Sequence, residues 1–152
     1  MSVEKEKEFA SLFKGCNIVY PTREQDMFEH WDVEVQGLKF DVKAMKRINR
    51  SDDQPTNLFN FIELKNVRGN TGWAYGKADA FAFETKNKWL LVKKEDLQRL
   101  IQEKVSNIQV DRSFKALYKK YTRPGRQDVV TMVHNMDLVE IAYKIISKPI
   151  GT

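Results

Sequence analysis

Three side chains in the first third of this sequence are spaced for metal-assisted chemistry. Asp32 lies in the run His-Trp-Asp-Val-Glu-Val-Gln (30–36), and Asp41 and Lys43 lie in Leu-Lys-Phe-Asp-Val-Lys (38–43), with Gln36-Gly37 at the junction. The alternation on either side of that junction reads as two strands of a β-hairpin. Side chains i and i+2 of a strand share a face, so Asp41 and Lys43 stand on one side and Val42 on the other. Pairing about the turn sets residues near 32 opposite residues near 41. Two carboxylates and one ammonium therefore converge. Close carboxylates repel each other unless a cation joins them. Aspartate oxygens suit Mg²⁺ (or Mn²⁺), which keeps several waters and accepts phosphate as a further ligand. A lysine beside the ion orients the attacking water or holds charge in the transition state. These are the parts of metal-assisted phosphodiester hydrolysis. The same three residues also fit a solvated cross-strand ion pair, which is worth little. Spacing by itself leaves both readings open.

The order of these residues resembles the PD-(D/E)XK, or restriction-endonuclease-like, nuclease superfamily. There an Asp on one strand precedes an acidic-x-Lys triplet on the next. Asp32 matches the first acid, Asp41 the second and Lys43 the lysine, although His30-Trp31-Asp32 lacks the Pro that nominally precedes the first Asp. The resemblance covers the first two-thirds of the chain in its order of elements. It implies an Mg²⁺-dependent nuclease with Asp32 and Asp41 as metal ligands, a restriction-endonuclease-like fold, and DNA as substrate. Small phage-type and mobile-element nucleases look similar. With no room for a separate recognition domain, it implies low specificity, structure selectivity, or work as a homodimer or with a partner.

A second register exists within the same resemblance. Glu63-Leu64-Lys65 is also an acidic-x-Lys triplet on a strand candidate, with Asp41 then serving as the first acid. We prefer the first register, because a tight hairpin fixes Asp32 against Asp41 without help from the 49–57 loop. If the third strand pairs beside Asp41, Glu63 joins the site as an additional metal ligand or water-orienting acid. Members of the superfamily often carry another acid on the first helix, for which Glu8 is the candidate here. Glu24 and Asp26 precede the hairpin, as turn residues or as further acids within reach.

Other residues point to a polyanionic partner. Lys39, Lys43, Lys46, Arg47 and Arg50 cluster along the second strand and its exit, where they would contact phosphates. Trp73 and Tyr75 lie in the glycine-rich stretch 69–76, flanked by Arg68 and Lys77. Aromatics beside basic residues suit stacking on bases, and Trp73 anchoring its loop in the core is the structural alternative. We assign Lys46, Arg47, Lys65 and Trp73 as nucleic-acid contacts. Lys115, Lys119, Lys120, Arg123 and Arg126 form a second basic region. His30 and His134 stand alone, which argues against paired-histidine metal chemistry. A non-catalytic nucleic-acid-binding protein on the same fold is the competing function.

These residues need a frame to hold them. The chain has 152 residues, 41% hydrophobic and 31% charged, with a formal net charge of +5, enough for one domain with a real core. Cys16 is the only cysteine, which excludes an intrachain disulfide and any multi-cysteine zinc site. No apolar run approaches a membrane span and no signal-peptide core opens the chain, so a soluble, cytoplasmic protein is expected. Periodicity predicts a helix over 3–13, a short strand at 17–20, the hairpin, and a strand over 58–67. It then predicts strands at 78–84 and 89–93, a helix over 95–105, a helical piece at 114–121, a strand at 129–133 and a closing helix over 137–146. The economical packing is an α/β fold with a mixed central β-sheet flanked by helices, in a single domain over 1–152.

Overall fold

A computed structural model describes residues 3–150. In chain order the elements are α1 (Val3–Ala10), β1 (Ile18–Val19), α2 (Arg23–Glu29), β2 (Val33–Val35), β3 (Leu38–Lys43) and β4 (Phe59–Lys65). There follow β5 (Ala80–Glu84), β6 (Lys88–Lys93), α3 (Lys94–Lys104), β7 (Gln109–Val110), β8 (Lys120–Tyr121), β9 (Val129–His134), α4 (Asn135–Ile141) and β10 (Lys144–Ser147). The protein is α/β, with four helices and two mixed β-sheets among the described residues. One sheet runs β1-β2-β3-β5-β6-β10 and the other β4-β9-β8-β7. This corrects the expectation of one central sheet. Among the described residues, no helix is long and apolar enough to cross a membrane.

The described residues group into two compact units. One comprises 3–44, 76–94 and 142–150, and the other Met45–Tyr75 and Glu95–Ile141. The first unit is built on the six-stranded sheet. Its hairpin turns at Gln36 and Gly37, whose φ values of 50° and 81° give the left-handed pair that matches strand twist in a two-residue loop. The register pairs Val33 with Phe40 and Val35 with Leu38, so Asp32 lies opposite Asp41, as the hairpin reading requires. β5 joins the other side of β3 in parallel, setting Asp41 beside Phe81 and Lys43 beside Phe83. Alternation then divides the faces. Phe40, Val42, Ala80 and Ala82 belong to a core with Phe9, Val33, Trp89 and Leu91. The Phe9 ring meets Phe40 edge-on at 5.1 Å, which docks α1 on this core.

The second unit is built on the four-stranded sheet. β4 pairs antiparallel with β9, from Phe59 opposite His134 to Lys65 opposite Val129, with an irregularity between Glu63 and Lys65. The buried Asn60 amide donates to Asn135 Oδ1 at 2.6 Å, tying β4 to the start of α4. Within this unit, the expected helical piece at 114–121 is a 3-10 turn at Ser113–Lys115 followed by β8. Tyr118 has φ 54°, a left-handed conformation that ends any helical run, and its N–H goes to the Met132 carbonyl.

The expected helix over 137–146 also divides. Helix α4 ends at Ile141, and Lys144–Ser147 pairs antiparallel with β6 as an edge strand of the six-stranded sheet. The β-branched pair Ile145-Ile146 favours this, and Ile146 packs against the core of that sheet.

Candidate active site

The hairpin delivers its three residues together. Asp32 precedes β2 and is bound to β3 twice: its N–H donates to the Phe40 carbonyl at 2.8 Å, and its Oδ2 accepts the Val42 N–H at 2.7 Å. Lys43 Nζ lies 3.0 Å from Asp41 Oδ1. The side chains of Asp32 and Asp41 share a hydrogen bond. Asp41 is only 3% exposed. The fully buried Phe81, registered beside it on β5, belongs to the apolar surroundings that make its charge costly. Desolvation pushes the Asp41 carboxyl well above the usual carboxylate range, the Lys43 ammonium opposes that rise, and the Asp32 charge adds to it.

A third carboxylate arrives from α1, and it is Glu6. Its side chain hydrogen-bonds to Asp32. Partial burial, reinforced by the charge of Asp32 and then by that hydrogen bond, pushes Glu6 up to about 7. Glu6 is one turn before Phe9, the residue that seats α1 on the core, so the docking of Phe9 aims Glu6. Glu8, the acid expected from the sequence, points elsewhere. It pairs with Lys5 at 3.2 Å and faces Lys148 at 3.8 Å, in a cluster around the buried Glu84. Two residues along a helix is a rotation of roughly 200°, so Glu6 and Glu8 cannot share a face.

Helix α2 supplies the rim. Glu6, Asp26 and Asp32 line a cavity of about 310 Å³ together with Tyr20 and Arg23. The sequence signal for α2 (Arg23–Glu29) is Thr22-x-x-Gln25. The Gln25 N–H donates to Thr22 Oγ1 at 3.2 Å and the Thr22 N–H to Gln25 Oε1 at 2.9 Å, a reciprocal capping box. His30, with φ 59°, ends the helix and returns the chain to Asp32. Of the two acids noted before the hairpin, Asp26 lines the cavity with Asp32.

Glu63 and Lys65 are placed differently. Both lie on β4, whose sheet neighbour is β9, whereas the neighbours of β3 are β2 and β5. The expectation that the third strand pairs beside Asp41 is therefore corrected, and with it the ground for adding Glu63 to the site. The cause is local. Gly72 packs so closely on Glu63 that a Cβ there would fall 2.3 Å from the Glu63 carbonyl oxygen, and its N–H donates to the Leu64 carbonyl. The glycine-rich stretch thus folds back on β4. Trp73 begins a 3-10 turn (Trp73–Tyr75) in this stretch and is half-buried. Lys46 is exposed, and Arg47 Nη1 donates to the Arg50 and Asp52 carbonyls within its own loop.

The acids can be tested as cation ligands. Among the described residues, no three His, Cys, Asp or Glu side chains form a metal cage as they stand. The donor set nevertheless fits a hard divalent ion. Mg²⁺ is commonly held by one or two carboxylates, with waters and substrate phosphate completing the shell. Asp32 and Asp41 are two such carboxylates, close enough to repel each other's charge, which a cation between them would offset. No family model, curated protein or solved structure matches this chain.

Proposed function

We propose that this protein is a divalent-cation-dependent nuclease of the restriction-endonuclease-like class, hydrolysing phosphodiester bonds in DNA. The observation that carries this reading is the linked series Glu6, Asp32, Asp41 and Lys43, with Glu6 and Asp32 at a cavity. Buried like charges cost stability, and a solvated ion pair has no need of them.

Asp32 and Asp41 would hold the cation, Mg²⁺ or Mn²⁺. Bound there, it supplies Lewis-acid polarisation of the phosphate and a more acidic water. Lys43 keeps its ammonium against Asp41 Oδ1, within reach of a water or phosphate oxygen beside the acids. Glu6, poised to titrate near neutrality, can take a proton at its carboxylate and return it. Arg23, the cation of the cavity wall, is placed to meet a phosphate entering it. Lys46 and Lys65 remain proposed contacts to the strand, and Trp73 a proposed stacking residue.

The test is incubation of plasmid and branched DNA with Mg²⁺, Mn²⁺ or EDTA. Cleavage is expected with either metal and not with EDTA. It should be lost in Asp41→Asn and Lys43→Ala with DNA binding retained. No cleavage of any DNA or RNA with either metal overturns the proposal in favour of a non-catalytic binding protein.

A further inference from the structure

A second cavity, of about 510 Å³, lies within the unit Met45–Tyr75 and Glu95–Ile141. All four strands of the small sheet contribute to it, and α3 and the 3-10 turn at Trp73–Tyr75 complete it. Its volume is within the range of roughly 300–1,000 Å³ typical of small-molecule sites. The chemistry is segregated by type. Aliphatic residues of β4, β9 and α3 provide apolar walls, and Tyr75 adds an aromatic ring that is 42% exposed. Gln102 and Gln109 contribute two amides. Lys65 and Lys120 contribute two ammonium groups, and no described Asp or Glu lines the cavity.

The hydrogen bonding points the same way. Lys120 Nζ donates to Asn107 Oδ1 at 2.8 Å. Among the described residues, the side chains of Lys65, Tyr75, Gln102 and Gln109 take no protein partner. Four polar groups of three kinds are thus free to meet a ligand around one apolar space. A flat apolar ring is what an aromatic face and aliphatic walls accept. Paired amides match the donor and acceptor pattern of a base edge. Two cations with no acid between them select an anion.

We propose that this cavity is a nucleotide site, holding a base against Tyr75 with its edge on Gln102 and Gln109 and its phosphate on Lys65 and Lys120. The nucleotide is one unit of a single-stranded segment of the nucleic acid, which rests on the nuclease reading for its source but not for the site itself. A flat heterocycle is reached on such a platform only when unpaired.

Binding measured in EDTA separates this proposal from catalysis. The probe is a fluorescein-labelled single strand of about 12 nucleotides, compared by anisotropy with the same strand in duplex. The single strand is expected to bind tighter. Tyr75→Ala should weaken it by about 5- to 160-fold, the range for loss of one stacked base. Lys65→Ala should lower the salt slope of single-strand binding by about 0.7. Lys65, Gln102 and Gln109 are exposed, so their alanine variants keep the test valid if Tyr75→Ala fails to fold. A mononucleotide that competes far more weakly than the oligonucleotide assigns the site to a strand. Equal competition keeps the nucleotide site but overturns the strand as its source. Wild-type affinity in all of these variants overturns the site, whatever the cleavage assay shows. Absent cleavage with variant-sensitive binding overturns only the nuclease reading.

Discussion

Asp32 Oδ2 accepts the backbone N–H of Val42 at 2.7 Å, so the first acid is bound to the residue between the second acid and the lysine. One hydrogen bond thus fixes Asp32 relative to both Asp41 and Lys43. It also separates two roles of Asp32. Asp32→Asn keeps an oxygen for the Val42 N–H but removes the charge. The proposed nuclease activity should fall by at least about 100-fold, the scale of losing one electrostatic group of a site, with little change in Tm. Asp32→Ala should lose activity equally and also cost about 1–3 kcal/mol, because the Val42 N–H is left without a partner. Glu63→Gln, on β4, should keep wild-type activity. Cleavage rates alongside thermal melts read both effects, and inactivity of Glu63→Gln with activity of Asp32→Asn would reverse the assignment.

How much of this was legible before the structure depends on range. The hairpin was, because Gln36-Gly37 fixes a two-residue turn and alternation does the rest. Asp32, Asp41 and Lys43 follow from that local geometry. Glu6 was not, because which glutamate of α1 faces the acids depends on Phe9 docking against Phe40, a contact far along the chain. The partner of β4 was not legible either. Its sequence satisfies any sheet edge, and the choice of β9 over β3 rests on long-range pairing and on Gly72 packing on Glu63. The strand at Lys144–Ser147 was hidden by the helical spacing of the preceding apolar residues.

Glu6 gives a pH dependence whose sign can be stated. Its folded-state value of about 7 exceeds the ordinary 4.5, so the folded chain holds a proton on Glu6 that the unfolded chain releases between those values. Its contribution to stability therefore falls as pH rises from about 4.5 to 7 and stays low above that. In EDTA, Glu6→Gln should match wild type near pH 4.5 and exceed it at pH 8. The gain should be about 2–4 °C in Tm, which corresponds to about 1 kcal/mol at this chain length after allowance for solvent screening. Mg²⁺ should raise the wild-type Tm at pH 8 by binding the folded state, and Asp41→Asn should abolish that rise. Thermal melts across pH with and without Mg²⁺ provide the check; a Glu6→Gln gain that is equal at both pH values would refute the raised carboxyl.

Gly72 predicts a steric effect independent of any chemistry. A Cβ at this position would lie 2.3 Å from the Glu63 carbonyl oxygen and 2.7 Å from its carbon, and backbone cannot step aside as a flexible side chain can. Gly72→Ala should cost about 1–3 kcal/mol and should loosen the hydrogen bond from its N–H to the Leu64 carbonyl. Hydrogen exchange at residues 64–72 should rise. Gly37→Ala has open space but φ 81°, so it strains the hairpin turn without any clash. Denaturant melts of both variants, with exchange measured at both sites, distinguish a packing cost from a turn cost.

The Tyr118 hydroxyl donates to Asp137 Oδ2 and accepts the His134 N–H at 3.2 Å, while Lys104 Nζ lies 3.2 Å from Asp137 Oδ1. Three elements of the second unit, β9, α3 and α4, thus meet on one carboxylate–phenol pair. The Tyr118 hydrogen bond holds Asp137 below the usual carboxylate range; burial opposes it, and Lys104 assists in lesser measure. A depressed carboxylate stabilises the fold above its unfolded value of 3.8 and loses that contribution as pH falls through its folded value. Tyr118→Phe removes the principal cause. It should cost about 1–2 kcal/mol at pH 7, and the share of that cost owed to the Asp137 charge should vanish once pH is low enough to protonate Asp137 in both proteins, leaving the share owed to the His134 N–H without its acceptor. Lys104→Met should act in the same direction but less, since its side chain is half exposed and its ion pair is screened by solvent. Urea melts in a pH series running from 7 to well below 3.8 compare the three proteins; a Tyr118→Phe deficit that does not shrink across the series would show that the hydroxyl acts through the His134 N–H and packing rather than through the Asp137 charge.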